Sequence, residues 1–126
     1  MTYGLLFDFP IESKSEYKYI NSSTELESKL SSYLAADEIG LDIETTGLDP
    51  YQDQIRLLQL SSRDAPNLLI DAYEINNWIE LLIPLFKSST TKIVHNAKFG
   101  LKFFYHLSID IKGVIFDTML ASQLLA

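Results

Sequence analysis

Leu41-Asp42-Ile43-Glu44-Thr45-Thr46-Gly47-Leu48-Asp49-Pro50 sets two carboxylates at the end of an apolar run and follows them with a tight turn. Ile39, Leu41 and Ile43 alternate with Gly40, Asp42 and Glu44, a period of two that predicts a strand with one apolar face. Asp42 and Glu44 are two apart, so both side chains leave the same side of that strand. Their Cα atoms then lie about 6–7 Å apart, given ~3.3 Å of rise per residue. Carboxylates that close repel unless a cation sits between them. Hard oxygen ligands suit Mg2+ or Mn2+. A bare Asp-x-Glu is more often the solvent-facing half of an amphipathic strand, so the surrounding sequence decides.

Working outward, Gly47 and Pro50 punctuate the turn after the pair. Ile55–Ser61 and Asn67–Asp71 are further strands, joined by Ser62–Pro66, and with the first they predict an antiparallel meander. Upstream, Ser22-Ser23-Thr24-Glu25 and Thr24-Glu25-Leu26-Glu27 both match a capping box. Leu26, Leu30, Tyr33 and Leu34 then predict an amphipathic helix over Thr24–Ala35. Tyr17–Ile20 reads as a short strand, and residues 1–16 as a leader strand with a linker at 11–16.

Downstream, Ile75, Trp78, Ile79, Leu82, Leu85 and Phe86 mark a helix whose last turn Pro84 should kink or shorten. Lys92–His95 predicts a strand, and Asn96 a capped helix through Leu101, Phe104 and Tyr105. Val114–Phe116 predicts a last strand, after which Asp117 caps a helix bearing Met119, Leu120, Leu124 and Leu125. The order β-α-β-β-β-α-β-α-β-α predicts one α/β domain, a mixed sheet flanked by helices.

The chain has 126 residues, 10 Lys and Arg against 17 Asp and Glu, and a net charge of −7. That balance makes it a poor sequence-independent clamp on nucleic acid, which needs basic surface to replace counterions. It leaves room for a carboxylate cluster that holds a divalent metal. The absence of cysteine excludes disulfides and thiolate metal sites. No apolar run spans a bilayer and the N-terminus lacks signal-peptide character, so no membrane partner and a cytoplasmic location are expected.

The opening stretch resembles the first motif of the DEDD superfamily of 3′–5′ exonucleases, which includes family A polymerase proofreading domains, ribonuclease D and Werner-type exonucleases. Ile55–Ser61 is similar to that family's second strand, and Ile93-Val94-His95-Asn96-Ala97-Lys98-Phe99 to its second motif. Phe116–Ser122 is similar to the following segment of the family A proofreading domains, so residues 17–126 align in order. The resemblance implies a ribonuclease-H-like fold, a substrate that is a nucleic-acid 3′ end (single-stranded DNA rather than RNA), and two-metal phosphodiester hydrolysis with Mg2+ or Mn2+. It implies Asp42 and Glu44 as catalytic metal ligands. Thr45 and Leu48 would touch the terminal nucleotide, Leu48 packing on its base, with Asn96 and Phe99 along the strand's path.

The resemblance also implies four carboxylates, and here it fails. The third should follow Phe99, where the chain has Gly100, and the fourth belongs to a later motif that this sequence does not contain. Glycine in a helix interior costs roughly 1 kcal/mol against alanine. It also forgoes about 0.3–1 kcal/mol of dipole interaction available to an aspartate in the first turn. Loss of catalytic constraint explains Gly100 better than improved folding. The expectation is a C-terminally truncated exonuclease domain with little or no activity. The alternative is a non-catalytic nucleic-acid-binding or protein-interaction module.

The remaining candidates are weaker. Asp49, Asp53 and Asp110 are poor substitutes for the missing ligand, and Asp117 reads as a helix cap. His95 and His106, eleven apart, do not suggest zinc; His95 reads as a hydrogen-bonded structural residue and Trp78 as core. Lys98 and Lys102 lie one turn apart, either as phosphate contacts or as a solvated helix face. The exposed apolar side chains of the last helix predict a homodimer through it.

Overall fold

The computed structural model describes residues 17–125. Six strands, β1 (Tyr17–Ile20), β2 (Glu38–Thr45), β3 (Ile55–Ser62), β4 (Ala65–Asp71), β5 (Thr91–Val94) and β6 (Ile115–Asp117), form one sheet in the order β1-β4-β3-β2-β5-β6. Four helices accompany it: α1 (Ser23–Leu34), α2 (Trp78–Lys87), α3 (Ala97–His106) and α4 (Thr118–Leu125). The β2-β3-β4 meander is antiparallel as expected, while β1 joins β4, β5 joins β2 and β6 joins β5 in parallel. The leader strand and linker expected at 1–16 lie outside the described residues.

Strand alternation divides the sheet into two unlike faces. Ile39, Leu41, Leu58, Leu60, Leu68 and Ile70 are buried in one core with Leu26, Leu30 and Tyr33 of α1 and Leu82, Leu85 and Phe86 of α2. Phe103 and Phe104 of α3 enter the same core, and the Phe104 ring lies 5.1 Å from that of Phe86. Each fully buried side chain of this kind contributes about 1.5–3 kcal/mol. The opposite face carries Gly40, Asp42, Glu44, Leu57, Gln59, Ser61, Asn67 and Leu69, all half-buried or exposed. Tyr17, Tyr19 and Phe116 extend this face and are at least half exposed.

Helix ends follow local chemistry. Ser22 is the N-cap of α1, its Oγ accepting from the Glu25 amide at 3.3 Å, so the first of the two capping-box registers is used. Pro84 does not shorten α2, which runs on to Lys87. Pro84 and Glu80, one turn before it, are both exposed. Lys92, fully buried on β5, donates through Nζ to the carbonyls of Ser88 and Lys112, both at 2.6 Å, tying the end of α2 to the segment before β6. Burial pushes its ammonium pKa down.

One expected cap is corrected. Asn96 occupies the N-cap position of α3, yet its side chain makes no cap hydrogen bond and its backbone is left-handed at φ 60°. The cap comes from Asp117, which accepts from the amides of Asn96 at 3.0 Å and Ala97 at 2.8 Å. Asp117 also accepts from Met119 at 2.9 Å, so the expected cap of α4 serves two helix starts at once. Burial alone would raise its pKa; the amides of Ala97, Met119, Asn96 and Leu120 outweigh that and lower it.

Candidate active site

Asp42 and Glu44 stand on the open face of β2, exposed, with Gln59 and Leu57 as their partners on β3. A bulge shifts the pairing between Glu44 and Thr45, so Thr45 registers with Ile55. Bulges bend a strand and re-aim its side chains; this one lies where the carboxylates end and the turn begins. The Asp42 carboxylate accepts from the Ile43 amide at 2.9 Å, its only hydrogen bond among the described residues, and none is found for the Glu44 side chain.

The turn is held by its own side chains. Thr45 Oγ1 donates to the Gly47 carbonyl at 2.6 Å. Asp53 accepts from the Asp49 amide at 3.0 Å and from Thr46 Oγ1 at 3.3 Å, while Asp49 accepts from the Tyr51 amide at 2.9 Å. A Cβ on Gly47 would come within 2.5 Å of the Asp53 carboxylate, so a larger residue there would push that carboxylate from its loop hydrogen bonds. Asp49 and Asp53 are spent on the loop. Asp110 pairs with Lys112 at 2.6 Å. Leu48, by contrast, is 77% exposed, an apolar side chain held out from a braced turn.

Two hollows flank Asp42. One, about 430 Å3, lies on the open sheet face and is bounded by Gly40, Asp42, Gln59, Ser61, His95 and Thr118. The other, about 30 Å3, is bounded by Asp42, His95, Asn96, Phe99, Gly100 and Phe104 among others. The fold therefore brings Asp42, Asn96 and Phe99 together, whereas Thr45 ends β2 and Leu48 lies on the turn after it. His95 is exposed and borders both hollows, and its Nδ1 lies 3.0 Å from Thr118 Oγ1, the hydrogen bond expected of it. Its place beside Asp42 is set by the pairing of β5 with β2.

Gly100 faces the smaller hollow, and a Cβ built on it meets no atom within 4 Å. The space beside Gly100 is open to a larger side chain. Among the described residues no group of three or more His, Cys, Asp or Glu is placed to hold a metal. Mg2+ takes near-octahedral oxygen coordination and usually keeps several waters. Two carboxylates can offer one such ion a partial seat, but this donor set does not fit a pair of ions.

The fold is that of a 3′–5′ exonuclease domain. The family model for 3′–5′ exonuclease matches residues 17–126, and the chain belongs to that family. It is 27% identical over 111 residues to ribonuclease D of Bartonella henselae, covering 85% of this chain and 26% of that protein. Among solved structures it is similar to Escherichia coli RNase D, with TM-score 0.71 and 26% identity over 82% of this chain and 27% of that one. The catalytic core of Trypanosoma brucei RRP6 shares the fold, with TM-score 0.76 and 23% identity over 89% of this chain and 32% of that one. Brucella melitensis NrnC bound to pGG matches with TM-score 0.64 and 27% identity, over 86% of this chain and 51% of that one. The chain thus spans about a quarter of the ribonuclease D relatives and half of NrnC.

Proposed function

We propose that this chain recognises the 3′ end of a single nucleic-acid strand through an exonuclease site that is short of metal ligands, and that by itself it hydrolyses little or nothing. The observation that carries this is the pairing of two exposed, uncommitted carboxylates on β2 with open space at Gly100. Asp42 and Glu44 retain the position of metal ligands. Leu48 offers an apolar surface to a terminal base, and Thr45, Asn96 and Phe99 border its path. A divalent ion there would neutralise the carboxylate repulsion and attract phosphate; with two protein ligands it binds weakly. The likeness of Phe116–Ser122 to proofreading domains favours DNA, while similarity to ribonuclease D favours RNA. We take DNA as the preferred strand.

The test compares 5′-labelled DNA and RNA oligonucleotides ending in a 3′-hydroxyl or a 3′-phosphate, with Mn2+ at low salt. Tighter binding of 3′-hydroxyl DNA without shortening is expected. Equal binding of both ends removes the end-recognition reading, and progressive shortening removes the claim of inactivity.

A second feature favours self-association. No residue of α4 is buried, and Leu120, Leu124 and Leu125 are 53%, 86% and 89% exposed. Pairing of two copies through α4 would cover them. A monomer at micromolar concentration in sedimentation velocity would exclude it.

A further inference from the structure

Helix α3 carries Lys98, Lys102 and His106 at successive steps of four, and no acidic residue. Side chains four apart lie along one face of a helix, here over about 12 Å at 1.5 Å rise per residue. All three are exposed. Arg56, Arg63 and Lys112 each pair with a carboxylate, and Lys92 is buried against carbonyls. Among the described residues Lys98 and Lys102 pair with none. Among the described residues Lys18, Lys29 and Lys87 also pair with no carboxylate; what sets α3 apart is that its basic side chains line one helix face.

Aromatic rings accompany the stripe. Lys102 Nζ lies 5.8 Å from the centroid of Phe99, which borders the hollow beside Asp42. At the other end, Tyr51 of the β2–β3 turn meets His106 edge-on at 4.8 Å and remains 82% exposed. Tyr105 is 84% exposed. Pro50, Tyr51, Lys102, Tyr105 and His106 together bound a shallow hollow of about 340 Å3.

We infer that this face of α3, with Tyr51, is a track for single-stranded nucleic acid, leading from the Asp42 hollow along Phe99 and Lys102 to a base-stacking pocket between Tyr51 and Tyr105. Cations that follow a backbone and open aromatic faces that stack bases are the two components of sequence-tolerant strand binding. An acidic peptide would use the lysines and leave the tyrosines idle. The inference rests on the proposed function for its direction only: the strand's 3′ end points to Asp42.

The experiment measures anisotropy of labelled hexathymidylate and dithymidylate with the 126-residue chain at low salt. The hexamer is expected to bind more tightly than the dimer. Tyr51→Ala with Tyr105→Ala should weaken the hexamer by about fivefold or more. Lys98→Gln with Lys102→Gln should lower the salt slope by about 0.7 per lysine removed. All four side chains are exposed, and an unchanged circular dichroism spectrum confirms the fold of each variant. Hexamer affinity within twofold of the parent in both double variants overturns the track, as does competition by oligoglutamate equal to that by unlabelled hexamer. If the track falls in this way while Asp42→Asn weakens the dimer, end recognition stands. A hexamer that needs the tyrosines beside a dimer indifferent to Asp42→Asn leaves the track and removes end recognition. No hexamer binding by the parent removes the track outright.

Discussion

Glu44 and Asp71 both register with Leu57, one on each neighbouring strand, yet the two carboxylates live in opposite circumstances. Asp71 is 1% exposed and surrounded by donors: the Tyr19 hydroxyl, Arg56 at 2.5 Å, and the amides of Tyr73 at 3.0 Å and Glu74 at 3.2 Å. Burial alone would raise its pKa, but the hydrogen bonds from Tyr19, Arg56 and the two amides bring it down to about 2. Arg56 is held in turn over the Tyr73 ring at 4.4 Å. Glu44 and Asp42, on the same face, have water and each other. The difference separates a charge that the fold uses from a charge that the fold merely carries. A carboxylate whose donors are all supplied by the protein is structural. A close pair of carboxylates with few protein donors is instead suited to a divalent cation.

If that contrast holds, Asp71→Ala has the largest effect. It strands Tyr19 and Arg56 and should cost about 2 kcal/mol or more in urea unfolding. A loss below about 0.5 kcal/mol would put Asp71 in the same class as Glu44. The acid limb of stability is next. The folded pKa of Asp71 lies below its unfolded value of 3.8, so its contribution is fully present above that pH. It is lost as pH falls toward about 2, and Asp71→Asn should flatten this limb in melting curves taken across that range.

Asp117→Ala removes the shared cap of α3 and α4 and should lower the melting temperature by several degrees, more than Ser22→Ala, which loses one cap bond. An equal fall for both variants would argue against a cap serving two helices. Gly100→Asp should gain about 0.3–1 kcal/mol through the α3 dipole, offset without metal by repulsion from Asp42 across the small hollow. It should also create a Mn2+-dependent rise in melting temperature that the parent lacks. Should Mn2+ stabilise both proteins equally, Gly100 is not the vacancy in the site. Smallest of all, Asp42→Ala and Glu44→Ala should change stability by no more than about 0.5 kcal/mol. Clear stabilisation on removing either would measure the repulsion between the two carboxylates.

Much of this molecule is legible from local pattern. Period-two runs locate β2, β3 and β4, and period-3.6 runs locate the cores of α1, α2 and α3, because each side chain's direction is fixed by its own backbone. Asp42, Glu44, Gly47 and Leu48 mark the candidate site within seven residues, because a strand and its turn are contiguous. Other parts escape. Asn96 looks like a cap because asparagine commonly is one, but the donor groups of α3 are taken by a carboxylate about twenty positions later. Tyr51 and His106 meet across more than fifty residues of chain, and nothing in either neighbourhood signals the other. Asp71 reads as the last residue of a strand, with no hint of the four donors gathered around it.

The sequence by itself determined the element order and the family, since each is written in adjacent residues whose chemistry is local. Tertiary structure alone decided that β5 lies beside β2, and so that His95, Asn96 and Gly100 surround Asp42. It alone left open space at Gly100 and set Tyr51 against the cationic stripe of α3. These are encounters between segments far apart in the chain. They depend on how the whole core packs, which no short window of sequence contains.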